Sequence, residues 1–340
     1  MSAVSRYVVV GAGAVGAAVA SALVDAGRDV ALVARGSTAR AIRENGLRIA
    51  HAGRERALDL PLAEDPAEVR LADGDVLVLA TKTQDSGAAL ATWARQPAGD
   101  RLAGEAVPVV TLQNGLETER AALRLFDRVV SGTTLIAARH VTPGVVDILN
   151  GPKIGQLVLG AAPTAEAAPE TAELVATIAA DLRAGGWLVH EAADPRRWKA
   201  WKAVRSAAFP VDVLTGSDDD RDRLRALVRE EAERILAASG IELADASELG
   251  WDPALSAVDP AAGFVPGQLS TWQSFARGTS SEADYLNGEI VLRARLLGLD
   301  APASRALQRT LAAAEAAGEG PGARQVADVL AASGLAAARP

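Results

Sequence analysis

Tyr7-Val8-Val9-Val10-Gly11-Ala12-Gly13-Ala14-Val15-Gly16 is a β-branched run that breaks into glycines and resumes with helical composition through Ala26. Gly27 then stands where a C′ glycine ends a helix. In this Gly-x-Gly-x-x-Gly pattern, Gly11 permits a tight turn and Gly13 lets backbone approach a pyrophosphate. Gly16 lets helix settle on strand. The helix N-terminus offers unpaired N–H groups and a positive dipole end to phosphates. Asp29–Ala34 supplies the second strand of the unit at the required distance.

Further along, Val76–Ala80 and Val107–Leu112 read as strands, followed by helical stretches at Ala88–Arg95 and Leu116–Phe126. Strand and helix alternating at this spacing predict a parallel, doubly wound sheet. Residues 129–160 are rich in β-branched residues and turns and read as more strands. A helix over 165–184 and a strand over 187–190 close the first domain. Beyond Asp194-Pro195 strand-like runs nearly vanish, and helices are joined by turns such as Thr215-Gly216, Asp252-Pro253 and Pro266-Gly267. The expected class is α/β: a Rossmann-type doubly wound sheet over 1–192, then an all-helical substrate and catalytic domain over 193–330. A frayed tail is expected over 331–340.

Composition narrows the chemistry. The 340 residues include no cysteine, which excludes a disulfide framework, a thiolate metal site and a cysteine nucleophile. The three histidines, His51, His140 and His190, have no metal-ligand spacing, so no metal is expected. A net charge of −8 argues against nucleic acid as partner, because phosphate contact needs a basic field. Tyr7–Val24 is uncharged, but beyond its valines it is mostly Gly and Ala, too weakly apolar for a membrane span or an export signal. The absence of cysteine fits a reducing compartment, and a cytoplasmic location is expected.

Several side chains stand where chemistry would need them. Arg35 occupies the end of the second strand, where NAD-binding folds place a carboxylate on the ribose 2′-hydroxyl. A guanidinium there favours a 2′-phosphate, hence NADP(H). The third and fourth strands run into Thr81-Lys82-Thr83-Gln84-Asp85 and Gln113-Asn114-Gly115. Ligands of open α/β sheets gather at such carboxyl ends. In Trp198-Lys199-Ala200-Trp201-Lys202-Ala203-Val204-Arg205-Ser206, Lys202 and Ser206 share a helix face, and flanking aromatics can desolvate Lys202. On periodicity alone the plainer reading is an amphipathic helix whose Arg196, Arg197, Lys199 and Arg205 meet water. Thr279-Ser280-Ser281-Glu282 matches a capping box, with Glu282 completing a helix N-terminus.

The order GAGAVG, Arg35, TKTQD, LQNGL, a lysine-bearing helix, Ser270 and SSEADYLNG resembles the ketopantoate reductases (2-dehydropantoate 2-reductases) over about residues 6–310. The resemblance implies a Rossmann domain, a helical domain and an active site between them. It places Gly11, Ala12, Gly13, Ala14, Val15, Gly16, Lys82, Gln84, Asn114 and Ala138 on NADP(H), with Arg35 on its 2′-phosphate. Lys202 becomes the general acid, and Glu282 holds the nicotinamide ribose or the substrate hydroxyl. Ser270, Asn114 and Ser206 line the substrate. A small 2-oxo acid is the implied partner, for a monomer or homodimer. Two positions depart from the family pattern: Ser206 and Pro210 stand where asparagines are usual. Two alternatives remain open, a paralogue reducing a bulkier carbonyl or an imine, and a non-catalytic NADP-binding regulator.

Overall fold

Val8, Val9 and Val10 are buried, as befits a strand covered on both faces, and they lie in an interior strand of the main sheet. The computed structural model describes residues 4–335, which divide into two compact units. The first comprises residues up to 113, 118–196 and 246–264. It opens with β1 (Arg6–Val10), α1 (Ala14–Asp25) and β2 (Asp29–Val33). Gly27 ends α1 with φ +72°, in the left-handed region that glycine adopts without strain. The chain continues through α2 (Gly36–Asn45), the hairpin β3 (Leu47–His51) and β4 (Arg54–Leu58), then β5 (Leu62–Ala63), β6 (Asp75–Leu79) and α3 (Thr83–Ala94). A short hairpin, β7 (Pro97–Ala98) and β8 (Arg101–Leu102), leads into α4 (Ala103–Ala106), β9 (Val109–Thr111) and α5 (Glu117–Ala122). After these come β10 (Val129–Leu135), β11 (Ala138–Arg139), β12 (Val145–Ile148), β13 (Asn150–Pro152), β14 (Gln156–Ala161), α6 (Pro169–Ala184) and β15 (Leu188–Glu191).

The main sheet has the order β15-β14-β10-β9-β6-β1-β2-β5. Every pairing in it is parallel except β10 with β14. Counted along the chain, the run from β5 to β10 follows the 3-2-1-4-5-6 order of doubly wound dinucleotide-binding sheets, with its switch point between β1 and β6. A second sheet, β11-β12-β3-β4, lies beside it. Its β3–β4 hairpin had no counterpart in the sequence reading: β4 is Arg-Glu-Arg-Ala-Leu, exposed except at Leu58, so no apolar alternation marks it. Two helix bounds also differ from expectation. α3 starts at Thr83 rather than Ala88, because Ser86 and Gly87, poor helix formers, disguise its first turns. α5 stops at Ala122, and the chain turns so that Phe126 enters the core.

One buried polar link ties β1 to α6. The Tyr7 hydroxyl donates to Asp181 Oδ2 at 2.5 Å, and Arg28 grips Asp181 Oδ1 through Nε and Nη2 at 2.9 and 2.5 Å. Burial, then the bond to Asp181, raises the Tyr7 phenol's pKa, so it stays a donor.

The second unit takes residues 114–117, 197–245 and 265 onward. Its helices are α7 (Pro195–Ser206, whose first two residues cluster with the first unit), α8 (Asp218–Ala238), α9 (Ser270–Ala276), α10 (Ala283–Leu296), α11 (Pro302–Ala316) and α12 (Val326–Ala332). Ser217 caps α8 by accepting from Asp220 N–H at 3.1 Å, ahead of three aspartates in the first turn. From α8, the buried Glu231 accepts from the N–H groups of Ala303 and Ser304, both at 2.7 Å, and so caps α11. Between α8 and α9, β16 (Ser256–Val258) pairs antiparallel with β13, so residues 246–264 complete the first unit although they follow the helical stretch in sequence. α12 runs two residues into the stretch expected to fray, and residues 336–340 of that stretch lie outside the described residues. Among the described residues no helix is long and apolar enough to cross a membrane.

Candidate active site

The turn after β1 is shaped by what a side chain would strike. Gly11 has φ +108°, and a Cβ there would come within 2.9 Å of the Ala80 carbonyl group at the end of β6. At Gly16 a Cβ would sit 1.9 Å from the Gly11 oxygen, so α1 seats on β1 only with glycine. Gly13, the N-cap of α1, differs: nothing lies within 4 Å of its Cβ position, and no acidic residue occupies the first turn. Two glycines therefore serve packing, while the third leaves room beside free helix N–H groups. That is what a pyrophosphate requires, and the turn fits a dinucleotide. Ala12 is buried, and Ala14 and Val15 are half-buried in the same turn.

Arg35 is exposed at the N-cap of α2, its Nε 3.4 Å from the Glu64 carbonyl oxygen. The Glu64 carboxylate is engaged by Arg43 at 2.8 Å, and the first turn of α2 carries no acid. Lys82 is the N-cap of α3, Gln84 lies in its first turn, and Ala138 opens β11. All of these belong to the first unit.

Asn114, Lys202, Ser206, Ser270 and Glu282 belong to the second. Lys202 lies on α7 with only part of its side chain exposed. Burial pushes its ammonium down to about 7, the Lys199 charge acts in the same direction, and the Glu282 carboxylate opposes both. Lys199 corrects the sequence reading: it does not meet water with the arginines but is 3% exposed. Arg196 and Arg205 are exposed, Arg205 stacking over Trp201 at 4.9 Å, while the Trp198 ring is buried edge-on to Trp201.

The capping box is also corrected. α10 begins at Ala283, so Glu282 is its N-cap and not its third residue, and its side chain makes no capping bond. Instead Glu282, 4% exposed, accepts from Asn114 Nδ2 at 3.3 Å. Asn114 is brought there by the turn at Gly115, where φ is +80° and a Cβ would lie 2.7 Å from the Tyr285 carbonyl oxygen. The Ser206 hydroxyl, at the end of α7, is buried without a partner. Ser270 is half-buried at the start of α9. Sequence reasoning passed over Glu119, which accepts from the hydroxyls of Thr111 at 2.7 Å and Ser131 at 3.2 Å and so ties the end of β9 to β10. A carboxylate just beyond a strand ending in threonine was its signal.

Two family models cover most of the chain: ketopantoate reductase PanE/ApbA over residues 7–164, and ketopantoate reductase PanE/ApbA C terminal over 207–315. The chain belongs to the ketopantoate reductase family. Within it, a 2-dehydropantoate 2-reductase of Halobacterium salinarum is 30% identical, with 89% of this chain and 96% of the relative covered. One of Pyrococcus horikoshii is 27% identical, with 93% and 99% covered. The crystal structure of a PanE/ApbA family ketopantoate reductase from Ralstonia eutropha JMP134 superposes with a TM-score of 0.72 at 27% identity, covering 92% of this chain and 99% of that one. A D-mandelate dehydrogenase solved with NADH and anilino(oxo)acetate shares the fold, with a TM-score of 0.71 at 21% identity over 92% and 99% of the two chains.

Proposed function

We propose that this member of the ketopantoate reductase family reduces a small 2-oxo acid of the 2-dehydropantoate type, using NADPH. The observation that carries the reading is Lys202 on α7, whose ammonium burial brings down to about 7 within the field of the Glu282 carboxylate. Such a group gives up a proton at working pH yet still stabilises a developing alkoxide while charged. The names of the relatives support the same substrate class.

In this mechanism a bound reduced nicotinamide supplies the hydride that the carbonyl carbon accepts. The Gly11–Gly16 turn and the first turn of α1 hold the pyrophosphate, and Lys82, Gln84 and Ala138 add contacts at the strand ends. Arg35 pairs with the 2′-phosphate, which makes NADPH the preferred donor. Lys202 directs its Nζ proton to the carbonyl oxygen as charge builds there. Glu282, oriented by Asn114, fixes the reacting hydroxyl or the ribose, and Ser270 and Ser206 bind the rest of the acid. No metal enters the scheme.

The test is consumption of NADPH by the purified protein with a panel of 2-oxo acids, 2-dehydropantoate included, and with imines as a comparison. Turnover of at least one small 2-oxo acid is expected. Binding of NADPH without turnover of any 2-oxo acid would sink the proposal and make the chain a cofactor-binding regulator. Preference for imines would move it to another substrate class.

A further inference from the structure

We infer that Asn287 is a positioning residue, whose amide pins the end of α7 to α10 and so sets Lys202 against Glu282. The inference rests on the function proposed above. It begins with Pro210. α7 ends at Ser206, and the chain turns into a short 3-10 segment over Phe209–Val213. Where a chain tightens in this way, the carbonyl of residue 207 is normally satisfied by the N–H of residue 210. Proline has no N–H. The next donor, Val211 N–H, bonds to Ala208 instead, at 3.2 Å. Ala207 is wholly buried, so water cannot serve its carbonyl.

Asn287 fills the gap. It is 0% exposed on α10, and its Nδ2 donates to the Ala207 carbonyl at 2.9 Å. Its Oδ1 has no partner, so this bond alone orients the amide. The pin lies five residues after Lys202 on one side and five after Glu282 on the other. Ala200 and Val204 of α7 and Ala207 just beyond it share a core with Ile290 and Ala294 of α10 and with Ile235 and Leu236 of α8. Helix-to-helix packing of small and aliphatic side chains tolerates sliding, whereas a directional bond fixes register along the axes. A shift there would carry Lys202, together with Lys199 on the same helix, relative to Glu282 at the start of α10, whose carboxylate acts on its ammonium.

Asn287→Leu keeps the bulk and removes the donor. We expect kcat to fall about 10-fold, within the range that misplacing a catalytic group by about 1 Å costs, with NADPH affinity unchanged. Lys202 acylation against pH, read by peptide mass spectrometry with acetic anhydride, should shift upward as water reaches the ammonium. Pro210→Ala added to Asn287→Leu restores an N–H for Ala207 and should recover most of the loss, measured against Pro210→Ala alone. Should Asn287→Leu fail to fold, Asn287→Asp with and without Pro210→Ala makes the same comparison. A folded Asn287 variant with unchanged kcat and labelling profile overturns the inference. So does a variant changed only in Tm, or one that Pro210→Ala does not rescue. The labelling needs no substrate: an inactive unmodified protein would overturn the catalytic reading, while the labelling shift would still decide the role of Asn287.

Discussion

A partly buried ammonium costs folding free energy, and Lys202 makes that cost depend on pH. Its folded value, about 7, lies below that of a lysine in the unfolded chain. Below about pH 7 both states are protonated and the full cost is present. As pH rises from there toward the ordinary lysine value, the folded protein sheds the proton first and the cost disappears. Lys202→Met should therefore stabilise the protein at about pH 6, by roughly 1–3 kcal/mol, and less at about pH 9. Urea unfolding at the two pH values checks this. The same change should lower kcat by about 10²–10⁴. On the proposed mechanism, in which protonated Lys202 is the donor, the reductive rate of the unmodified protein should fall as pH rises through about 7. Lys199→Met, removing a like charge, should move that limb upward. Arg35→Asp should turn a preference for NADPH into one for NADH, a swing of about 1–3 kcal/mol at the phosphate contact, read from the two cofactors' binding constants. Equal affinity of the unmodified protein for both would refute it. These residues differ in how far sequence revealed them. Gly11, Gly13 and Gly16 were legible because their function is backbone shape, which glycine spacing records. The burial of Lys199 was not, since charges on several faces of α7 hide which one is covered. Glu282 was misassigned because Ser/Thr-x-x-Glu reads the same when the helix starts one residue beyond the glutamate.

At the scale of elements, strands buried on both faces announce themselves, as Val76–Leu79 does, whereas helices without side-chain caps, such as α3, show their presence but not their bounds. What local pattern cannot show is a link between distant elements. Asp181 meets Arg28 and Tyr7 across separations of 153 and 174 residues, and no periodicity of α6 marks it as more than a polar position. Asp181→Ala leaves a buried phenol and a guanidinium without their acceptor. A loss of about 1–3 kcal/mol is expected, as for a buried donor left without its acceptor, since the Arg28 charge itself reaches water. Asp181→Asn keeps an acceptor for Tyr7 and should lose less. Urea unfolding of the three proteins distinguishes the cases, and an Asp181→Ala protein as stable as its parent would refute the structural role. The β3–β4 hairpin escaped the sequence reading for a related reason: a mostly exposed strand leaves no apolar signature, and only its partner β12 makes it part of a sheet.

For the molecule as a whole, the class of each unit was readable, because alternation of strand and helix and then its cessation are long-range statistics that single misreadings do not disturb. The route of the chain was not readable. Residues 246–264 return to the first unit and lay β16 on β13, with Asn150 Nδ2 donating to the Ser256 carbonyl at 2.7 Å and Gln156 reaching the Ser256 hydroxyl at 2.8 Å. Three residues of strand, flanked by short turns, carry too little pattern to be seen. Residues 114–117 likewise belong to the second unit while lying within the sequence of the first. A gene fragment ending after Arg196 would thus encode β13 without β16, the strand it pairs with, and an unpaired strand is prone to join a foreign one. The remaining fragment would carry a strand with nowhere to lie. Exchange of one whole unit for that of a relative therefore takes more than one breakpoint in the gene.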